Sequence, residues 1–311
     1  MTLQTPAGVP ERLAGHRDRF DVVFADYFAG VSARALPRGS YVPQALELVR
    51  DMSLRGGKRL RVALVHEAAR LVTAGAVAGL DEAAISIELL QTHGLIHDDI
   101  VDDSPVRRGA PSVYYAYRER FPDRPQTALG LAVLAGDLAA FLSVRVLLDA
   151  PLPAGTRQAM AAVHAAAAAD TVMGQFLDLE RDAGPVPDRE VLDTVAEYKT
   201  ARYSLLAPLQ LGLLAAGEDP AAHQEELARY ARSAGVSGQM RDDYLDLFGD
   251  AGLIGKPAGS DLRSGRRSYT VCAVLAATSG AERELVESAL AGPGCPPETV
   301  ARIQDIARHH G

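Results

Sequence analysis

The chain has 311 residues, a formal net charge of −8, no tryptophan and 5% aromatic residues. That length is ample for a substantial core, and the acidic balance argues against general nucleic-acid binding. An alanine-rich, aromatic-poor chain favours close-packed helices over sheets. The N-terminus carries no apolar signal core, and the longest apolar runs look too short to cross a bilayer. Cys272 and Cys295 lack metal-site spacing and read as thiols of a reducing compartment. The expectation is a cytoplasmic protein with no membrane span and no nucleic-acid partner.

Residues 1–15 carry Pro and Gly and are expected to be loose, with one domain over 16–311. Helical periodicity begins near Asp21, where Val22, Val23, Phe24, Tyr27 and Phe28 recur at helix spacing. A second helix is expected over Ala45–Leu54, then a break at Arg55-Gly56-Gly57-Lys58-Arg59-Leu60-Arg61. An apolar helix follows over Val62–Gly75. The next helix opens near Gly79 and Asp81 and ends in four aspartates within Asp98–Asp103. Pro105 and Gly109–Pro111 stop it. Further helices are expected over Tyr114–Phe121, Thr127–Leu148, Thr156–Asp182, Glu190–Tyr203 (with Asp188 as cap), Leu205–Gly217 and Pro220–Phe248. A Gly-rich charged loop, Gly249–Arg267, precedes two or three shorter helices. No strand pattern, P-loop, Rossmann fingerprint or zinc-ligand set occurs, so the fold class is all-α, a single-domain bundle of long helices.

Two acidic runs stand out. Asp98 and Asp102 fall on one helix face with Asp99 beside them. Like charges at i,i+4 repel by roughly 0.2–0.5 kcal/mol per pair, so a cation between them is expected. Asp242, Asp243 and Asp246 repeat the Asp-Asp-x-x-Asp arrangement at the end of another long helix. Magnesium takes oxygen ligands and is commonly held by carboxylates together with substrate phosphates. Basic residues supply the complement: Lys58 and Arg61 behind Gly56-Gly57, Arg107-Arg108, Lys199 beside Thr200, Lys256, and Arg266-Arg267. Arginine forks match phosphate oxygens, whereas lysine acts as a point charge. Two anionic ligands are indicated, one held through metal and one held directly.

The segments GGKRLR (56–61), LIHDDIVDDSPVRRG (95–109), LAGDL (134–138), GQFLDLE (174–180), YKTA (198–201), QMRDDYLDLFGD (239–250) and GKPAGSDLRSGRRS (255–268) together carry a resemblance. The chain resembles the trans-isoprenyl diphosphate synthases, the polyprenyl synthetase family. The resemblance implies an all-α bundle around a central cavity, a homodimer, and magnesium at three ions per site. It implies that Asp98, Asp99, Asp102, Asp242, Asp243 and Asp246 hold that magnesium on an allylic diphosphate. It places Arg107, Lys199, Thr200, Gln239 and Lys256 on the same diphosphate, and Lys58, Arg61 and Arg108 on isopentenyl diphosphate. Gln175 and Asp178 would line the cavity. The implied reaction is ionisation of the allylic diphosphate, attack on the cation by the isopentenyl double bond, and loss of a proton from the resulting cation to the departing diphosphate. The product is five carbons longer, and dry apolar walls keep water from the cation.

Three positions depart from the family pattern. Gln91 stands where histidine commonly touches isopentenyl diphosphate, Gly238 replaces an aromatic residue before Gln239, and Val62 replaces proline after GGKRLR. Gln91 can donate a hydrogen bond but carries no charge, which implies weaker affinity for that substrate. The family's chain-length floor falls at His93 and Gly94, roughly 6–8 Å below Asp98 along the helix axis. His93 would form part of that floor unless it is a hydrogen-bonded core histidine. Gly94 leaves room, so the expected product is geranylgeranyl diphosphate, with farnesyl diphosphate as the alternative. A class I terpene cyclase would not need Lys58, Arg61 and Arg108. A non-catalytic partner subunit would tend to lose aspartates that are all present here.

Overall fold

The computed structural model describes residues 8–35, 39–250, 258–291 and 294–310. Two compact units are formed, one from Met1–Ala168 with Ser204–Leu227 and the other from Ala169–Tyr203 with Ala228–Gly311. Each change of unit falls inside a continuous helical stretch. This is why no linker composition marks it in the sequence.

The first unit begins with α1 (Val9–Ala35), which starts well before the expected residue 16. Pro10 lies in the first turn, where its missing N–H costs nothing. Arg12 and His16 reach Glu67 at 3.1 and 3.0 Å and hold this turn in place. Phe20, Phe24 and Phe28 recur every fourth residue and are buried. Helix α2 (Tyr41–Leu54) likewise starts before Ala45, with Pro43 tolerated in its first turn. Helices α3 (Leu60–Val72) and α4 (Leu80–Val101) follow. After α4 the chain makes a two-stranded antiparallel hairpin, β1 (Val106–Arg107) and β2 (Ala110–Pro111), which the sequence pattern does not anticipate. Two-residue strands are too short to establish a period.

Ser112 caps α5 (Val113–Arg120), accepting from the Tyr115 N–H at 3.3 Å. Helix α6 (Pro125–Leu148) packs Ala128, Ala132, Ala135, Ala139, Leu142 and Val146 into the same core as α4. Contrary to the sequence expectation, α6 is long and apolar enough, by length and composition, to cross a membrane, with mean hydropathy 2.0. Its buried alanine face shows what part of that apolarity serves. The rest forms an exposed stripe at seven-residue spacing, Leu134, Phe141 and Leu148. Helix α7 (Ala154–Ala183) runs from the first unit into the second. His164, near its start, is buried and bonded to Ser86 and Ser143, each at 2.8 Å. Burial holds that imidazole neutral, its pKa lowered to about 4.

In the second unit, α8 (Arg189–Ala196) is capped by Asp188 as expected, through the Val191 N–H at 2.9 Å. It continues into a π-helical segment, Glu197–Leu206, that the sequence does not betray. Helix α9 (Ala207–Ala215) belongs to the first unit, where Leu209 and Leu213 pack on Ala68. A 3₁₀ turn (Pro220–His223) leads into α10 (Gln224–Phe248). The second core is closed by α11 (Ser260–Arg263), α12 (Tyr269–Ala277), α13 (Gly280–Leu290) and α14 (Pro297–His310). Leu247, Leu262, Val271, Val286 and Ile303 meet there.

Gly212 of α9 lies against α3: a Cβ would sit 2.2 Å from the Val65 carbonyl oxygen. Gly212→Ala is therefore expected to destabilise the protein by about 1–3 kcal/mol despite alanine's better helix propensity. Thermal denaturation measures this; an unchanged or raised Tm would show that α3 and α9 can separate at no cost.

Candidate active site

In the first unit the functional residues gather where α4 ends. Asp99 is fully buried, and Arg107, on the hairpin, donates to its Oδ1 from Nε at 2.8 Å and Nη2 at 2.5 Å. Arg107 also reaches Asp98 at 3.4 Å. Burial raises the Asp99 pKa, and Arg107 opposes that only in part. The other oxygen, Oδ2, is buried without a hydrogen-bond donor. Asp103 points elsewhere: it adopts φ +47° and pairs with Arg118 at 3.2 Å. Arg107 thus holds Asp98 and Asp99 at the helix end, while Asp103 turns to Arg118 on α5.

The basic loop is sorted by backbone conformation. Gly56 has φ +47°, and Arg59, without glycine's freedom, has φ +50°. That reversal buries Arg59 among Asp21, Glu88 and the Ser53 and Leu54 carbonyls, while Lys58 is left exposed. Arg61 donates to Ser204 at 2.6 Å. Arg108, at φ +52°, donates to the Arg55 carbonyl at 3.1 Å. Burial, then the neighbouring Arg59, Arg61 and Arg107, lowers its pKa. Gln91 is buried on α4. His93 donates from Nδ1 to the Gly136 carbonyl oxygen at 3.2 Å; a carbonyl only accepts, so the proton sits on Nδ1. A Cβ on Gly94 would meet nothing within 4 Å.

In the second unit a polar cavity of about 80 Å³ is lined by Asp178, Lys199, Thr200, Gln239, Asp243 and Arg266, among others. Lys199 reaches Asp178 at 2.6 Å, and Arg181 reaches the same carboxylate at 2.8 Å. Burial pushes the Asp178 pKa up, but the two cations outweigh it and hold it below the usual range. Gln175, one turn earlier, has a buried Nε2 without a hydrogen-bond partner. The π-helical turn that carries Lys199 and Thr200 is a feature often found at functional sites.

The second acidic run is also sorted. Asp242 is exposed, whereas Asp243 and Asp246 are buried. Asp243 accepts from Gln239 at 2.7 Å and from the Tyr269 N–H at 2.8 Å. Asp246 accepts from Ser260 and from the Asp261 N–H, so it holds the start of α11. Of the arginine pair, Arg266 lines the cavity while Arg267 bonds to the Arg181 carbonyl at 2.9 Å. A Cβ on Gly238 would meet nothing within 4 Å, so no wall stands where the aromatic residue is missing. Lys256 lies outside the described residues.

Two charged cavity residues are not signalled as such by the sequence. Arg181 is signalled only by its i,i+3 spacing from Asp178. Asp261 is one more acid in a loop already rich in charge. Among the described residues, no three acidic, His or Cys side chains form a preassembled metal cage. Magnesium's oxygen preference nevertheless suits carboxylates of each unit taken by itself: in the first, Asp99 Oδ2 is a buried carboxylate oxygen with no donor, and in the second, Asp242 is exposed.

Burial, reinforced by Asp246 and Asp243, raises the Asp261 pKa to about 7. From about pH 4 to that value the unfolded chain releases a proton that the folded chain keeps, so stability falls as pH rises. Asp261→Asn removes that loss. Measured in EDTA, its Tm relative to the parent should climb across this window; a difference independent of pH would contradict the assignment.

Residues 43–307 match the family described as polyprenyl synthetase. The chain is 31% identical over 251 residues to the farnesyl diphosphate synthase of Escherichia coli (strain K12), covering 78% of this chain and 80% of that one. It is 29% identical over 272 residues to the geranylgeranyl diphosphate synthase of Sulfolobus acidocaldarius, covering 86% and 78%. Among solved structures, it is similar to geranylgeranyl pyrophosphate synthase from Corynebacterium glutamicum complexed with isoprenyl diphosphate and magnesium. The TM-score is 0.87 at 28% identity, over 95% of this chain and 86% of that one. The all-α helix-bundle fold is of the isoprenoid synthase type. The chain belongs to the polyprenyl synthetase family, the trans-isoprenyl diphosphate synthases, and is a prenyl-transferring enzyme.

Proposed function

We propose that this enzyme condenses an allylic diphosphate with isopentenyl diphosphate to give geranylgeranyl diphosphate, using three magnesium ions. The observation that carries the reading is Asp99: a buried carboxylate, bound to Arg107 through one oxygen and without a donor on the other. Such an oxygen suits a hard cation. Magnesium, when held by Asp98, Asp99, Asp102 and by Asp242, Asp243 and Asp246, supplies Lewis-acid stabilisation of the leaving diphosphate.

The remaining work falls to the chain's own residues. Arg107, Lys199, Thr200, Gln239 and Lys256 neutralise and orient the allylic diphosphate. Lys58, Arg61 and Arg108 hold isopentenyl diphosphate, with Gln91 adding a neutral hydrogen bond. Gln175 offers its unpartnered amide N–H to the same region of charge. Positive charge fixed in advance around the leaving group lowers the ionisation barrier without reorganisation.

Product length follows from α4. The open space beside Gly94 favours a chain that continues past it, and His93, tied to the Gly136 carbonyl, narrows the path from one side. The exposed stripe Leu134, Phe141 and Leu148 on α6 suits a homodimer contact. The free, buried cysteines and the packed inner face of α6 are consistent with a cytoplasmic protein without a membrane span.

Labelled isopentenyl diphosphate with each allylic primer and magnesium tests the reaction, and chromatography of the products tests the length. Twenty-carbon product is expected from the parent enzyme, longer products from His93→Ala and shorter ones from Gly94→Phe. Unchanged distributions would remove both residues from the floor, and a fifteen-carbon end product would favour the farnesyl reading. Phe141→Glu should convert the dimer to monomer in light scattering; a parent that is itself monomeric would end that part of the proposal.

A further inference from the structure

We infer that Gly174 and Gly235 are positioning residues for Lys199, clamping the π-helical segment between α7 and α10. The inference rests on the reading of Lys199 as a ligand of the allylic diphosphate. A π-helical run is rare and holds only where its surroundings enforce it. Here the enforcement is visible on two sides. A Cβ on Gly174 would fall 2.2 Å from the Lys199 nitrogen, 2.5 Å from its Cα and 2.6 Å from the Tyr198 carbonyl carbon. These are all backbone atoms, so no rotamer change relieves the overlap. A Cβ on Gly235 would fall 2.3 Å from the Ala201 Cβ and 2.9 Å from its Cα. The segment is therefore held close on two sides, at residues 198–199 by α7 and at Ala201 by α10.

Neither glycine is needed for its conformation. Both lie inside regular helices without positive φ. Intrinsic propensity would favour alanine at each. Space alone explains them. Their register explains what the space is for. Gly174 is one turn before Asp178, the carboxylate that Lys199 reaches at 2.6 Å. Gly235 is one turn before Gln239, which lines the same cavity as Lys199 and Thr200. Each clamp thus lies on the face that presents a polar cavity residue. A shift of the segment away from Gly174 would move the Lys199 ammonium relative to both Asp178 and the cavity.

The test is a double-mutant cycle on the full-length enzyme. Steady-state KM values for the allylic and isopentenyl substrates would be measured for the parent, Gly174→Ala, Lys199→Ala and the double variant. Gly174→Ala is expected to raise the allylic KM roughly tenfold, within the range for coupled neighbours, and to leave the isopentenyl KM unchanged. Added to Lys199→Ala it should cause no further rise. Gly235→Ala, which meets a methyl group as well as backbone, is the second variant if Gly174→Ala fails to fold. Gly212→Ala, an equally crowded glycine whose neighbours Val65 and Ala68 are not among the cavity's lining residues, is the control and should lower Tm without changing the allylic KM.

Multiplicative effects in the double variant, or an equal KM rise from Gly212→Ala, would overturn the positioning role. If Lys199→Ala weakens allylic binding while both clamp variants bind normally, positioning fails and the reading of Lys199 stands. If Lys199→Ala leaves the allylic KM unchanged, that reading fails and the inference falls with it.

Discussion

The contact between the Lys199 ammonium and the Asp178 carboxylate, 2.6 Å apart, sets much of the second unit's arrangement. Asp178 is buried, and a buried carboxylate without partners would be strongly disfavoured. Two cations converge on it, Arg181 from its own helix and Lys199 from the π-helical turn. The turn must come close to α7 for that to happen, which requires a residue without a side chain at the crossing. Gly174 provides it. Local sequence, backbone geometry and electrostatics therefore depend on one another at a single crossing point.

The first unit follows the same logic, again with a buried carboxylate approached by a cation. There the carboxylate Asp99 is the fully buried member, and Arg107 comes to it on a short hairpin. In each unit a cation and a carboxylate already satisfy each other, Arg107 with Asp99 and Lys199 with Asp178. On the proposed function, substrate and metal would exchange partners there rather than meet isolated charges. That exchange limits the cost of keeping so many like-charged groups together before the substrate arrives.

The long helices were legible because their apolar spacing is regular, and the acidic runs because six aspartates in two matched patterns are rare in composition this ordinary. Boundaries were less so. Helix α1 starts at Val9 because prolines fit first turns, which composition alone reads as looseness. The π-helical segment escaped because a one-residue insertion barely disturbs an apolar pattern. Within the motifs, adjacent residues of the same type part company: Lys58 is exposed while Arg59 is buried, and Asp242 is exposed while Asp243 is buried. In the first case the cause is a positive φ at Arg59, which nothing in its residue type announces. In the second it is the hydrogen bonds from Gln239 and Tyr269, the latter well downstream in sequence. Spacing identifies a cluster, but distant backbone donors decide which member faces inward.

On the proposed function these aspartates and cations make a metal-dependent diphosphate site. Calorimetric titration of inorganic diphosphate into the intact protein, with magnesium and with EDTA, addresses it most directly. Saturable binding is expected with magnesium, largely lost in EDTA and in the Asp99→Asn variant. Equal affinity in both media, or undiminished binding by that variant, would contradict it.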